Sequence, residues 1–302
     1  MAGECEANRR QMGGFAALRM DGTVESWGRQ IGGNCLPMQL SQLKKVKSLC
    51  ASDYAFAALK EDGTVVTWGN AASGGDSSWV KEQLQEVVDI SSTSRAFAAL
   101  TRDGHVVTWG DRDFGGDSRA VQTQLEQVTA LCGSGSAFAA LRKDRSVVTW
   151  GDPKAGGDSS LVEMQLQDVY QLHSNEKAFC AVLHSGGCVI WGDPLCGGRS
   201  WRVTWALKDV QQVASTAFAF AAILQNGQVV TWGEKHCGGD SSSVQHLLKE
   251  VQQVRGSRQA FAAIVAGGKV VTWGHPNAGG SCDYNVAQQL QNVHSVDALN
   301  VY

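Results

Sequence analysis

The chain has 302 residues, a formal net charge of -3, and 18% charged against 43% hydrophobic residues. That balance excludes a disordered tail and argues against a general nucleic-acid binder, which carries a basic excess. No apolar run approaches the roughly 20 residues of a membrane span, and the opening MAGECEANRRQMGG lacks the apolar core of a secretory signal, so a cytoplasmic or nuclear location is expected.

In chain order, the first predicted elements are two short strands in GGFAALRMDGTVESWG. Phe15 stands in the first and Trp27 in the second, with Asp21-Gly22 between them as a hairpin turn. The same grammar then returns. Trp-Gly begins at Trp27, Trp68, Trp109, Trp150, Trp191, Trp232 and Trp273, in steps of 41 residues without insertion or deletion. A Phe precedes each Trp by 12 residues. A glycine pair follows in repeats two to seven, as in Gly74-Gly75, while the first repeat keeps only Gly33 before Asn34.

The second repeat shows the unit in full. AFAAL is short, apolar and bounded by turn residues, and VVTWG is β-branched and aromatic, so both read as strands. After the glycine pair, DSSWVKEQLQEVVDI has apolar positions at Val80, Leu84, Val87 and Ile90. The spacing predicts a short helical turn capped by Asp76, Ser77 or Ser78, then a third strand near Val87 to Ile90. Each repeat is expected to be a small antiparallel sheet of three or four strands.

Farther along, single repeats depart from the pattern. In the fourth, Asp144-Arg145 replaces Asp-Gly, so that turn is expected to be strained or differently shaped. In the fifth, residues 199 to 205 read RSWRVTW where siblings carry DSSWVKE-type segments. Asn226-Gly227 and Gly267-Gly268 restore the turn rule. Leu290, Val293 and Val296 repeat Leu84, Val87 and Ile90 with a one-residue insertion.

Both faces of these strands are apolar, so both must be covered, and adjacent repeats must stack face to face. The alanines permit close approach and the tryptophans fill the wedge. Radial stacking of small sheets is a β-propeller; linear stacking is a solenoid. The final repeat offers a strand that the first one lacks. The expectation is therefore an all-β, seven-bladed β-propeller of 41-residue repeats, one domain over 1–302. Its ring is closed by N- and C-terminal strands, with blade one from 1–34 plus 286–302 and blades two to seven within 35–285. All seven repeated tryptophans are expected in the core.

AFAAL-x-x-DG-x-VVTWG resembles the regulator-of-chromosome-condensation (RCC-type) repeat, roughly HS-x-AL-x-x-DG-x-V-x-x-WG, along the whole chain. This chain has DRDFGGDS where the family has Asn and a G-Q-L-G run, and SSTSRAF replaces the family's Gly and His. The resemblance implies a compact, divergent seven-bladed propeller. It also implies candidate functions: guanine-nucleotide exchange on a small GTPase, substrate binding in a ubiquitin-ligase system, or tryptophan-based UV-B sensing. Exchange factors of the family use a wedge inserted into a blade, and strict 41-residue spacing leaves no room for one. No HECT domain accompanies the repeats.

Several constellations are candidate sites. Asp76, Asp117, Asp158 and Asp240 could form a carboxylate ring or cap turns; Cys35, Arg199 and Ser281 break the series, which favours capping. The seven histidines fall at different phases. Cys196 and Cys237 share a phase, but fewer than the four ligands of a zinc site converge. Nine cysteines without C-x-x-C fit reduced thiols. Nothing supplies a nucleophile with its base and carboxylate, so the expectation is a non-enzymatic scaffold with no cofactor and no metal. An enzyme with a site in the central channel is the opposite-class alternative.

The candidate partner-binding residues are Trp201, Arg202 and Trp205, with Trp79 and Arg119 in the same segment of other repeats; Trp and Arg dominate binding hot spots. The competing reading is that these aromatics pack locally over a blade junction. Cations at the hairpin turns (Arg19, Lys60, Arg102, Arg142 and Lys143) alternate with acids and read as a solvated rim. The partner expected is another protein, and neither a membrane nor nucleic acid.

Overall fold

A computed structural model describes residues 14–28, 41–199 and 201–298. The first repeat holds β1 (Gly14–Leu18) and β2 (Val24–Gly28); the second holds β3 (Val46–Ala51), β4 (Ala55–Lys60) and β5 (Val65–Gly69). The third holds β6 (Val87–Ser92), β7 (Ala96–Thr101) and β8 (Val106–Gly110), and the fourth β9 (Val128–Gly133), β10 (Ala137–Arg142) and β11 (Val147–Gly151). Then follow β12 (Val169–Ser174), β13 (Ala178–Leu183) and β14 (Cys188–Gly192), and β15 (Val210–Ser215), β16 (Ala219–Leu224) and β17 (Val229–Gly233). The seventh repeat has β18 (Gln253–Gly256), β19 (Ala260–Val265) and β20 (Lys269–Gly274). Two short helices, α1 (Trp201–Thr204) and α2 (Tyr284–Gln289), lie in connectors. Each sheet is antiparallel in sequence order, with three strands in six repeats and two in the first. This is the seven-bladed propeller architecture, and the third strand runs to Ser92 rather than stopping at Ile90.

The sheets pair as the pattern requires. The 12-residue spacing places each Phe opposite its Trp across the hairpin, as in Phe56↔Trp68. Their rings stack, with centroids 5.2 Å apart in that pair. First strands of successive blades touch one another, so they line the axis. Ser92 Oγ donates to Ala51 O at 2.7 Å, and Ser174 Oγ to Gly133 O at 2.7 Å, between neighbouring inner strands.

Alternation divides each middle strand between two junctions. Ala55, Ala57 and Leu59 face the next blade and pack with Phe97 and Trp109. Phe56, Ala58 and Trp68 face the preceding blade and pack with Val24 and Leu43. The connector fills the wedge: Val80 and Leu84 join the same cluster as Trp109. Its serine ties the connector back to the outer strand of the preceding blade, Thr67 Oγ1 to Ser77 Oγ at 3.0 Å. Ser118, Ser159 and Ser241 repeat that bond with Thr108, Thr149 and Thr231.

The glycine pair has a steric cause. Gly115 has φ +89°, and a Cβ there would lie 2.7 Å from the Phe138 ring of the next blade. A Cβ on Gly116 would lie 2.5 Å from the Gly110 carbonyl oxygen. The pair is thus a seat for the next blade's Phe and Trp.

Two expectations, the burial of all seven tryptophans and a C-terminal strand beside β1, are not met among the described residues. Trp27 is not core: it is 51% exposed, whereas the other six repeated tryptophans are buried. The Asp144-Arg145 turn keeps the common shape and takes the strained of the two expected outcomes: Arg145 adopts a left-handed φ of +67°, which a side chain disfavours, while Asp144 accepts from Ser146 N–H like its siblings. Of the three or four strands expected per blade, six blades show three and the first shows two among the described residues. The C-terminal residues 293–298 form no strand with β1 among the described residues. Residues 1–13, 29–40, 200 and 299–302, which include Cys5, Gly33 and Cys35, lie outside the described residues.

Candidate interaction surface

The connectors run from the outer strand of one blade to the inner strand of the next, and their chemistry begins with the aspartate after the glycine pair. Asp76 accepts from Ser78 N–H at 2.9 Å, and Asp158 and Asp240 do the same two residues on. The aspartates therefore cap turns, and among the described residues no His, Cys, Asp or Glu group is arranged to hold a metal ion. Asp117 accepts from the backbone of Arg119 and from its guanidinium, Nη2 to Oδ2 at 2.6 Å. The guanidinium holds the Asp117 carboxyl down to about 2.

The five singled-out residues map onto this segment. Trp79 is 65% exposed and Trp205 79% exposed. Arg119 is exposed beside Asp117. Trp201 and Arg202 belong to α1, and their side chains lie outside the described residues. Trp79 and Trp205 thus present most of their side-chain surface to solvent. Two further residues join them: Leu161 and Met164 are each 90% exposed. Leu161 stands two repeats after Trp79 and one before Arg202; Met164 stands one repeat before Trp205. Sequence reading passed over both because SSLVEMQ looks like an ordinary amphipathic turn. Comparing phases across repeats is the signal that finds them.

The α1 connector also disturbs its junction. Trp109, Trp150, Trp191 and Trp273 each donate the indole N–H to the first glycine of the preceding pair. Buried Trp232, which faces Gly197, has no such partner.

The loops before each middle strand gather at one mouth of the axis. A belt of backbone hydrogen bonds crosses the blades there. Asp53 N–H donates to Ser94 O, Ser94 to Gly135, Gly135 to Glu176, Glu176 to Ala217, and Ala217 to Arg258, at 2.8–3.1 Å. One side chain per loop is committed to structure. Thr93 Oγ1, for example, accepts from Ala96 N–H at 3.0 Å and donates to Phe114 O at 2.9 Å. Removal from water, reinforced by the charge of Asp53, pushes the Glu176 carboxyl up. Beside the mouth a groove of about 1190 Å³ runs between blades three and four, past Arg112, Phe114, Arg119, Pro153, Glu176 and Lys177. Arg95 lies over the Phe114 ring, 4.9 Å from its centroid. The groove mixes both signs of charge, which suits a polypeptide better than a polyanion.

Buried cysteines belong to the packing. Burial pushes the thiols of Cys196 and Cys237 up to about 11, which keeps them protonated and unreactive. All seven described cysteines are free. No described helix is long and apolar enough to cross a membrane.

No protein-family description matches the chain, and no curated protein matches it. Solved structures match in fold. Prp20p from Saccharomyces cerevisiae, described with its binding properties to Gsp1p and histones, gives a TM-score of 0.50 at 15% identity, covering 80% of this chain and 74% of that one. The structure of Kap60 bound to yeast RCC1 (Prp20) gives 0.51 at 14% identity, covering 86% and 76%. The ectodomain of the Physcomitrella patens receptor kinase CR4 gives 0.50 at 16% identity, covering 76% and 64%. The likeness is one of fold, that of an RCC1-like β-propeller.

Proposed function

We propose that this protein is a non-enzymatic scaffold that binds another protein through its connectors, in a cytoplasmic or nuclear setting. One observation carries the reading. The core residues repeat almost unchanged, while the same connector phases place Trp79, Leu161, Met164 and Trp205 in solvent. Large apolar side chains held in solvent at equivalent connector positions are candidate anchors for a partner, and a rigid ring with variable connectors is a means of presenting them. The fold likeness to Prp20p, a protein described with its binding to Gsp1p and histones, supports a protein partner as a class. Small-GTPase exchange is the narrower alternative, and the uniform 41-residue spacing, with no inserted wedge, disfavours it.

The test is affinity capture followed by mass spectrometry. The full chain is compared with a variant carrying Trp79→Ala, Leu161→Ala, Met164→Ala and Trp205→Ala. Proteins held by the first and lost from the second are the expected result. Identical capture by both, with the fold intact, overturns the reading. Accelerated nucleotide release from a small GTPase replaces it with exchange.

A further inference from the structure

The groove between blades three and four leads to a second cavity. That cavity, of about 390 Å³, lies at the mouth of the axis, where the ends of four successive inner strands and the loops after them meet. The two spaces share Ser94, Gly135 and Glu176 as walls, so they form one cleft running from the connectors to the axis. Gly135 is the notch between them. Its counterparts in the other repeats are Asp53, Ser94, Glu176, Ala217 and Arg258, all with side chains. A Cβ on Gly135 would lie 2.6 Å from Glu176 Oε2, so the missing side chain is what lets the Glu176 carboxyl lie over this passage. None of Trp79, Leu161, Met164 and Trp205 lines the cleft, so it is a surface separate from those exposed connector residues.

The chemistry of the inner cavity is one-sided. Its hydroxyls are already committed as donors. Ser52 donates to Ala55 O, Ser92 to Ala51 O, Thr93 to Phe114 O, Ser134 to Ala137 O and Ser174 to Gly133 O. The Ser94 hydroxyl is bonded to the Asp53 carboxyl. What the wall still offers is acceptors, above all the Asp53 and Glu176 carboxylates of the second and fifth repeats. Removal from water pushes both carboxyls up, and the charge of Asp53 reaches Glu176. Arg95, Arg258 and Lys177 temper that charge from a distance. Among the described residues neither carboxylate is in an ion pair. A positively charged donor relieves the desolvation and the mutual repulsion together, so an ammonium or guanidinium fits this wall and an anion does not. The outer groove decides what carries that group. Arg112, Arg119 and Lys177 line it and repel a free polycation, while Asp117, Phe114 and Pro153 add the opposite charge and apolar surface. That mixture suits a polypeptide.

We propose that the cleft binds an extended segment of a partner protein. The segment's chain lies along the groove, and one lysine or arginine side chain passes the Gly135 notch to stand between Asp53 and Glu176.

The test selects a phage-displayed library of random linear peptides on the full chain, then measures the recovered sequence as a synthetic peptide by calorimetry. A lysine or arginine at one fixed position is expected. Replacing that residue by norleucine should weaken binding at least about tenfold, and so should Asp53→Asn or Glu176→Gln in the protein, because each removes a charge-assisted hydrogen bond. Both protein variants keep the shape of the side chain, and the belt at the mouth is made of backbone groups, so the unfolding midpoint should match the parent. The norleucine peptide reads the same contact without any change to the protein. Selected peptides with no fixed basic position, or affinities indifferent to all three substitutions, overturn the proposal. Spermidine binding as tightly as the peptide also overturns it, since the groove would then contribute nothing. The variant carrying Trp79→Ala, Leu161→Ala, Met164→Ala and Trp205→Ala should hold the peptide as the parent does, which separates this result from the capture experiment. Loss of the peptide from that variant moves the site to the connectors and overturns the proposal.

Discussion

Trp109 of the third blade donates its indole N–H to the carbonyl oxygen of Gly74 in the second, at 3.0 Å. This bond joins a fully buried aromatic of one blade to a glycine turn of its neighbour, a contact that Phe could not make, and it recurs at Trp150, Trp191 and Trp273. Replacing Trp109 by Ala should cost about 3–5 kcal/mol through lost packing. Replacing it by Phe leaves the Gly74 carbonyl without that donor and should cost about 1–3 kcal/mol. Trp232 lacks the bond, so Trp232→Phe should be milder than Trp109→Phe. Urea midpoints of the three variants check this order.

Gly115→Ala should destabilise by at least about 1–3 kcal/mol, because a left-handed φ and a collision with Phe138 act together. The same assay on Gly187→Ala is the contrast. Its Cβ would meet only the Ser185 hydroxyl at 3.7 Å, and the change should stay within about 0.5 kcal/mol.

The exposed connector residues should be dispensable for folding. Met164→Ser and Trp205→Ser should each leave the unfolding midpoint within about 0.5 kcal/mol of the parent. A large loss in either would mean that these side chains pack against the ring. The capture experiment would then need different variants.

His173 on β12 supplies a pH signature. Burial disfavours the charged imidazole and pushes it down to about 4. Between the ordinary value near 6.5 and about 4, the unfolded chain takes up a proton that the folded chain refuses, so stability falls as pH falls through that window. His173→Gln should remove this contribution and flatten the acid limb by up to about 3 kcal/mol between pH 6.5 and 4. Denaturation at several pH values, parent against variant, measures it.

The repeat, its strands and its Phe–Trp pairs were legible in the residues alone. Period-two alternation, turn glycines and a constant 12-residue offset are local properties of a chain, and cross-strand register follows from them. Three things were decided only by the tertiary structure. One was the use of left-handed backbone by Lys45, Glu86, Gln127, Asp168, Asp209, Glu250 and Asn292, each just before a valine at the same phase of the repeat. Glycine's absence hides them in sequence; contact with the hairpin turn, such as the 2.8 Å from a Gly63 Cβ to Glu86 Cα, accompanies them in space. Another was which connector residues reach solvent: Leu161 is 90% exposed and Leu166 1%, although both are leucines five residues apart. The last was the exposure of Phe15 and Trp27, whose counterparts in the other repeats are buried. Burial depends on what a segment 41 or more residues away places against it, and no local pattern carries that information.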